Sequence, residues 1–295
     1  MSAATTFAIV IPTYNEESNI GRLLESIRRQ TAANYSIAIV DQSSTDRTAD
    51  IARSYGSTVI NIPKPHFYSP PARSRNIGAR SVEGKIILHL DADMELGSAD
   101  FLQKLAALID GEHRAAIISE YDVAFGFWAK CKALERSCYR GSEMEAARAV
   151  TRDLFLTVGG YDEEISSGED FFTTRLYERH TRLARDESLA LRHHVGRWSL
   201  GSMLRKKFDY GRTAGVYLVK ARRIGAKSSR SIVRSSLRAY ARNWRLVTKE
   251  PAHYLGIFPL RALEFAAMQW GMRSGLRGTA EASQLDAKPT SQKNL

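Results

Sequence analysis

Hydrophobic and polar positions along the first ninety residues switch between two periods. Phe7-Ala8-Ile9-Val10-Ile11 is a short apolar run that reads as a strand, and Pro12-Thr13-Tyr14-Asn15 follows as a loop. Ile20, Leu23, Leu24 and Ile27 then recur at helical spacing. Tyr35 to Val40 is a second strand ending at Asp41. The polar turn Gln42-Ser43-Ser44-Thr45-Asp46 has the composition of a helix start, and Thr48 to Tyr55 continues as helix. Thr58 to Ile62 is a third strand, Arg73 to Ser81 a helix, and Lys85 to Leu90 a fourth strand. Such alternation predicts a parallel sheet covered by helices on both faces. Ligands of these sheets bind beyond the carboxyl ends of the strands. Thr13, Tyr14, Asp41, Asp91 and Asp93 all follow strands at once, so they should converge on one edge.

Farther along, Phe125 to Arg140 has helical character and Ala147 to Leu156 weaker strand character. Gly159-Gly160-Tyr161-Asp162 makes a turn. Gly168 precedes Glu169 and Asp170, where a helix begins. Acidic residues suit the positive end of a helix dipole.

The fourth strand ends in Asp91-Ala92-Asp93. If strand geometry persists, both carboxylates share a face about 7 Å apart. Two such charges repel unless a cation sits between them, and a divalent metal with oxygen ligands is the natural candidate.

Hydrophobic residues make up 43% of the 295 residues and charged residues 25%, the balance of a globular protein. Cys131 and Cys138 lie seven apart, which fits no metal or redox spacing, so both read as structural thiols of a reducing compartment. The first residues lack a basic leader region, and no uncharged apolar stretch approaches the roughly 20 residues of a spanning helix. A cytoplasmic protein is expected. The net charge of +11 is uneven. Between Arg197 and Lys249 stand fifteen Lys/Arg and one acid, Asp209, so that segment carries +14 and the remainder about −3. The basic character belongs to an appendage.

Four stretches taken in order resemble the family 2 glycosyltransferases. They are IVIPTYNEESNIGRLLESI, IVDQSSTDRTADIA, ARSRNIGARSVEGKIILHLDADM and TVGGYDEEISSGEDFFTTRLY. The resemblance spans roughly residues 7 to 180 and implies an α/β protein of the GT-A type, with a mainly parallel sheet sandwiched by helices. It implies that Thr13 and Tyr14 lie along the nucleotide base, with Glu16 nearby. Asp41 would accept a hydrogen bond from the base, and Arg75 would reach the nucleotide. Asp91 would contact the ribose or the metal, Asp93 would ligate a Mn²⁺ or Mg²⁺ bridging the donor diphosphate, and His193 would approach the metal or phosphates. Asp170 would be the general base, supported by Glu169. The family usually has a second acid and a glycine after the first Asp of the second strand; here Gln42 and Ser43 stand there, which bears on which base is bound.

Within the appendage, Arg230, Arg234, Arg238 and Arg242 step by four along one helix face, with Val233, Leu237, Tyr240, Trp244 and Val247 beside them. Such a basic amphipathic helix either packs on the catalytic domain or docks on an anionic membrane surface. Tyr254 to Met272 reads as a second interfacial element.

The resulting expectation is a metal-dependent, inverting transferase with a catalytic domain over 1–200, a basic helical extension over 201–275 and a disordered tail over 276–295. A UDP-sugar is the expected donor and a glycan or lipid-linked molecule the acceptor, at the inner face of the cell membrane; nucleic acid is not expected. A sugar nucleotidyltransferase fits less well, because no Gly-rich basic loop follows the first strand. A non-catalytic basic membrane-binding protein on the same scaffold is the alternative from another class.

Overall fold

A computed structural model describes residues 6–31, 34–64, 71–142, 144–196, 198–225 and 229–286, with backbone alone for 229–233, 247 and 276–286. In chain order the elements are β1 (Thr6–Thr13), α1 (Ile20–Arg28), β2 (Asn34–Asp41), α2 (Thr48–Ser54), β3 (Thr58–Asn61), α3 (Pro71–Ser81) and β4 (Ile86–His89). Then come β5 (Met94–Leu96), α4 (Phe101–Leu108), β6 (Ala115–Ala124), α5 (Phe127–Cys138), β7 (Ala147–Thr151), α6 (Arg152–Thr157), α7 (Glu169–Tyr177) and β8 (Leu183–Gly196). The chain closes with α8 (Leu200–Arg223), α9 (Ser229–Arg242), α10 (Arg245–Lys249) and α11 (Pro251–Asp286).

The eight strands form one sheet in the order β3-β2-β1-β4-β7-β6-β8-β5. The first four are parallel to one another. β7 runs antiparallel to β4 and β6, β8 is parallel to β6, and β5 closes the edge antiparallel to β8. The predicted parallel sheet is therefore the first half of a mixed one.

β1 is apolar without alternation because both of its faces are covered. Phe7, Ile9 and Ile11 pack with Ile20, Leu23, Leu24 and Ile27 of α1. Ala8 and Val10 pack on the other side with Ala72 and Ala79 of α3. Each such Ile or Val contributes about 1.5–3 kcal/mol relative to an exposed one. α3 approaches closely because Gly78 faces the sheet: a Cβ there would lie 2.4 Å from Val10 Cγ1.

The strand expected over Ala147 to Leu156 stops at Thr151, and α6 follows. Arg152 causes the break. Its guanidinium donates to the carbonyls of Ala79, in the last turn of α3, and of Val82 and Gly84 beyond it, which turns the chain out of the sheet.

The basic appendage is packed on the catalytic domain through a buried polar knot. Glu135 of α5 accepts hydrogen bonds from Lys132, Tyr139 and Tyr240, and Arg261 of α11 pairs with it at 3.1 Å. Burial opposes the charge of Glu135, but Lys132 and Arg261 outweigh it and hold the carboxyl down at about 2. α8 and α11 cross at glycines: a Cβ on Gly271 would sit 2.0 Å from the Phe208 carbonyl oxygen, and one on Gly211 2.1 Å from that of Met268.

Two expectations change here. The apolar stripe of α9 does not bury as a unit: Tyr240 is buried, whereas Leu237 and Trp244 are exposed. The side chains of Arg230, Val233 and Val247 lie outside the described residues. α11 continues to Asp286, into the stretch expected to be a disordered tail, and residues 287–295 lie outside the described residues. Among the described residues no helix is long and apolar enough to cross a membrane.

Candidate active site

Three neighbouring parallel strands, β2, β1 and β4, end at one edge, and the candidate residues gather there as expected. Thr13 pairs in register with Asp41. Its hydroxyl donates to Asp41 Oδ1 at 2.9 Å, and the other oxygen accepts the Ser44 amide at 2.9 Å. Asp41 is buried and its carboxylate is spent on this turn. Ser43, in the place of the family's glycine, has φ 58°, a left-handed conformation that glycine adopts more readily. Tyr14 is exposed, with the Lys64 ammonium 3.7 Å above its ring. Glu16 is held by Asn19; burial raises its carboxyl, and the nearby charges of Asp93, Asp46 and Asp91 push the same way.

β4 ends at His89, two residues before Asp91, so the period-2 argument that put both aspartates on one face does not reach them. They take different partners. Asp91 Oδ1 accepts from Arg75 Nη2 at 2.8 Å, and Oδ2 lies 3.1 Å from Arg148 Nη2. Burial alone would raise the Asp91 carboxyl, but Arg148 and Arg75 hold it far below the usual carboxylate range. The cations that meet Asp91 are two arginines of the chain itself.

Asp93 instead meets His193 on β8, with Oδ2 3.1 Å from Nε2. The other ring nitrogen lies 3.0 Å from Asp122 Oδ1. Burial would lower the imidazole, yet the hydrogen bonds to Asp122 and Asp93 raise it to about 9. Charged, the ring donates to both carboxylates. As the neutral Nε2–H tautomer it accepts at Nδ1 from Arg136, whose Nη1 is 2.7 Å away.

Arg75 is buried rather than open to a ligand. Besides Asp91 it binds Glu169, with Nη1 donating to Oε1 at 3.0 Å, and its guanidinium lies 5.4 Å from the Tyr161 ring centre. Burial and the adjacent Asp170 raise the Glu169 carboxyl to about 7 against the pull of Arg75. Asp170 is half-buried in the first turn of α7, where Oδ1 accepts the Phe171 amide at 2.8 Å. Gly168, with φ 81°, starts that helix against Tyr217 of α8. Asn76, next to Arg75, bonds both the amide and the carbonyl of Tyr161. One turn of α3 thus anchors the strand-end aspartate and the glycine turn before α7.

Sequence reasoning missed Arg148, Asp122, Glu120 and Arg136. Arg148 stands in an otherwise apolar strand, AARAV, and Glu120 and Asp122 recur at period 2 in ISEYDV. Both signals were readable: a charge on a buried strand needs a buried partner.

Among the described residues, no three His, Cys, Asp or Glu side chains are grouped so as to hold a metal ion. Asp91 is engaged by arginines and His193 by two carboxylates. Asp93, with a quarter of its side chain accessible, is the strand-end acid with an oxygen, Oδ1, in no protein hydrogen bond among the described residues. That donor set fits an ion completed by ligand phosphate oxygens and water, as magnesium-type ions commonly are. It does not fit a cage of protein side chains.

Residues 8–179 match the family model for glycosyl transferase family 2. The chain belongs to that family. A PGL/p-HBAD biosynthesis glycosyltransferase of Mycobacterium bovis (strain BCG / Pasteur 1173P2) is 32% identical over 166 residues, covering 54% of this chain and 64% of the relative. An uncharacterized glycosyltransferase of Haemophilus influenzae is 27% identical over 176 residues, 56% of this chain and 59% of its own. The match thus spans less than two thirds of either relative. Among solved structures, the mannosyltransferase PcManGT from Pyrobaculum calidifontis, in complex with GDP-Man and Mn²⁺, aligns over 97% of this chain and 89% of its own with TM-score 0.59 at 18% identity. S. aureus TarS 1-349 aligns over 92% of each chain with TM-score 0.55 at 19% identity. These likenesses show the GT-A fold.

Proposed function

We propose that this family 2 protein transfers a sugar from a nucleotide-diphosphate donor to a hydroxyl acceptor, with inversion at the anomeric carbon and with a divalent metal. The observation that carries the reading is the bridge made by Arg75. One buried guanidinium joins Asp91, at the strand ends, to Glu169, beside the acid that faces an acceptor. Donor-side and acceptor-side carboxylates are thereby held by a single rigid group.

In this reading Thr13, Tyr14 and Glu16 line the nucleotide, while Asp41 shapes the turn beneath it. Arg75 acts as a positioning residue. Asp93 would hold a Mg²⁺ or Mn²⁺, with Asp91 behind it, and a bound ion would stabilise the charge that gathers on the departing diphosphate. His193 orients Asp93 through their hydrogen bond. Glu169 faces inward onto Arg75, so Asp170 is the member of the pair that accepts the acceptor's proton, a step typically worth ~10²–10⁴-fold in rate. A single base opposite the leaving group gives inversion.

In this reading the acceptor is a cell-envelope glycan or a lipid-linked molecule. The mycobacterial protein is described as acting in PGL/p-HBAD biosynthesis, and TarS as a poly(ribitol-phosphate) β-N-acetylglucosaminyltransferase. The exposed Leu255, Phe258, Phe265 and Trp270 of α11, with the arginines of α9, fit a peripheral position on an anionic membrane face. A UDP-sugar is the proposed donor, and the GDP-Man complex of a protein of the same fold makes GDP-sugars the first comparison.

The test is nucleotide release from UDP-GlcNAc, UDP-Gal and GDP-Man by wild type and Asp170→Asn. The reading expects turnover of one donor, reduced at least 100-fold in the variant with donor affinity retained. Undiminished turnover in Asp170→Asn would remove that residue from the chemistry, and a retained anomer by NMR would remove inversion.

A further inference from the structure

Beside His193, α5, α8 and α11 line a half-open recess of about 270 Å³. Four cationic side chains line it, Lys132, Arg136, Lys206 and Lys207, together with Trp198 and Tyr210. The acid in its described wall, Glu264, is already engaged by Lys132 and Arg261. Arg136 is paired with Asp122. Lys206 and Lys207 have no carboxylate partner among the described residues. Lys206 has the rings of Trp198 and Tyr210 at 5.6 and 5.8 Å, and Lys207 that of Tyr210 at 5.5 Å.

Two ammonium groups without a carboxylate partner among the described residues, set beside the other cations of the recess, repel them, because Glu264 and Asp122 are already engaged. Lys206 is exposed and Lys207 half-buried, yet the crowding of protein around their ammonium heads, then Arg136 for Lys206 and Lys132 for Lys207, lowers both, Lys207 to about 8. A ligand that brings two negative charges would relieve the repulsion. A phosphate monoester carries about −1.5 to −2 near neutral pH, whereas a single carboxylate leaves one lysine uncompensated. The volume suits a small headgroup, and the two aromatic walls offer apolar surface beside the charge.

The cavity also has a direct line to the candidate active site. Arg136 lines it and reaches Asp122 and His193 Nδ1, and His193 reaches Asp93.

We propose that this cavity binds the phosphate group of an acceptor substrate, through Lys206, Lys207 and Arg136. The inference rests on the transferase reading above and deepens it: an acceptor carrying a phosphate would be held by Arg136, with His193 between that arginine and Asp93. The same chemistry could come from the donor's diphosphate, so the test separates the two sources.

The experiment is calorimetric titration of full-length wild type and the double variant Lys206→Met, Lys207→Met with geranyl phosphate, geraniol, inorganic pyrophosphate and Mn²⁺ with UDP or GDP. Methionine keeps the apolar stems while removing both charges, so the variant should melt no lower than wild type. The expected result is binding of geranyl phosphate and pyrophosphate but not geraniol, weakened at least tenfold in the variant, with nucleotide affinity unchanged. Equal weakening of nucleotide and geranyl phosphate would assign the cavity to the donor's diphosphate and overturn the proposal. Unchanged phosphate affinity in the variant, or no phosphate binding to wild type, would overturn the proposal. Nucleotide binding in the absence of phosphate binding defeats this inference alone, and the reverse defeats the transferase reading alone.

Discussion

Arg75 Nη1 donates to Glu169 Oε1 at 3.0 Å across 94 positions of chain. The bond closes α3 onto α7 inside the protein, and the same guanidinium holds Asp91. Removing Arg75 leaves the Glu169 oxygen without its donor and Asp91 with Arg148 alone in place of two arginines. Arg75→Met should therefore lower the unfolding free energy by about 3–5 kcal/mol, read from urea denaturation. A loss below about 1 kcal/mol, the range of exposed pairs, would show that the pair acts as a surface contact.

Glu169 gives the protein a pH signature. Its carboxyl is raised from 4.5 to about 7 by burial and by Asp170. The native state then keeps a proton that the unfolded chain has released, so stability falls as pH rises between those values. The contribution is on the order of 1 kcal/mol per pH unit. Urea midpoints at pH 5 and pH 7 should differ more for wild type than for Glu169→Gln. Identical pH dependence in the two proteins would place the titration elsewhere.

Much of the donor-side architecture was legible because β1 and β4, and the second half of β2, are apolar runs that end in polar residues. The interrupted stretch after Ala147 was not, since one arginine, Arg152, ends the strand by bonding to three carbonyls distant in sequence. β8 was hidden for a different reason. Its first half, LARDES, is charged, and only from Leu189 to Val195 do buried and less buried positions alternate. The strand-end aspartates were found, but not their partners, because Arg148 and Arg75 approach Asp91 from elements 57 and 16 residues away in sequence. Motif spacing located the acids; only packing reveals which cation each one meets.

The crossing of α8 and α11 separates two glycines that look alike in sequence. A Cβ on Gly271 would lie 2.0 Å from the Phe208 oxygen, backbone that cannot swing aside, whereas Gly215 has nothing within 4 Å. Gly271→Ala should lower stability by about 1–3 kcal/mol or more through overpacking. Gly215→Ala, inside α8, should raise it by about 0.5–1 kcal/mol. Thermal melts of the two variants check the contrast, and a destabilising Gly215→Ala would contradict it.

The central claim is that Asp93 receives a metal-bound nucleotide at the strand ends while Asp91 is held by arginines. It is tested most directly by calorimetric titration of UDP, GDP, CDP and dTDP, with and without Mn²⁺, into wild type and Asp93→Ala. The account predicts Mn²⁺-dependent binding of one nucleotide to wild type, weakened at least tenfold in the variant. Binding that ignores both the metal and Asp93, or no binding of any nucleotide, would contradict it.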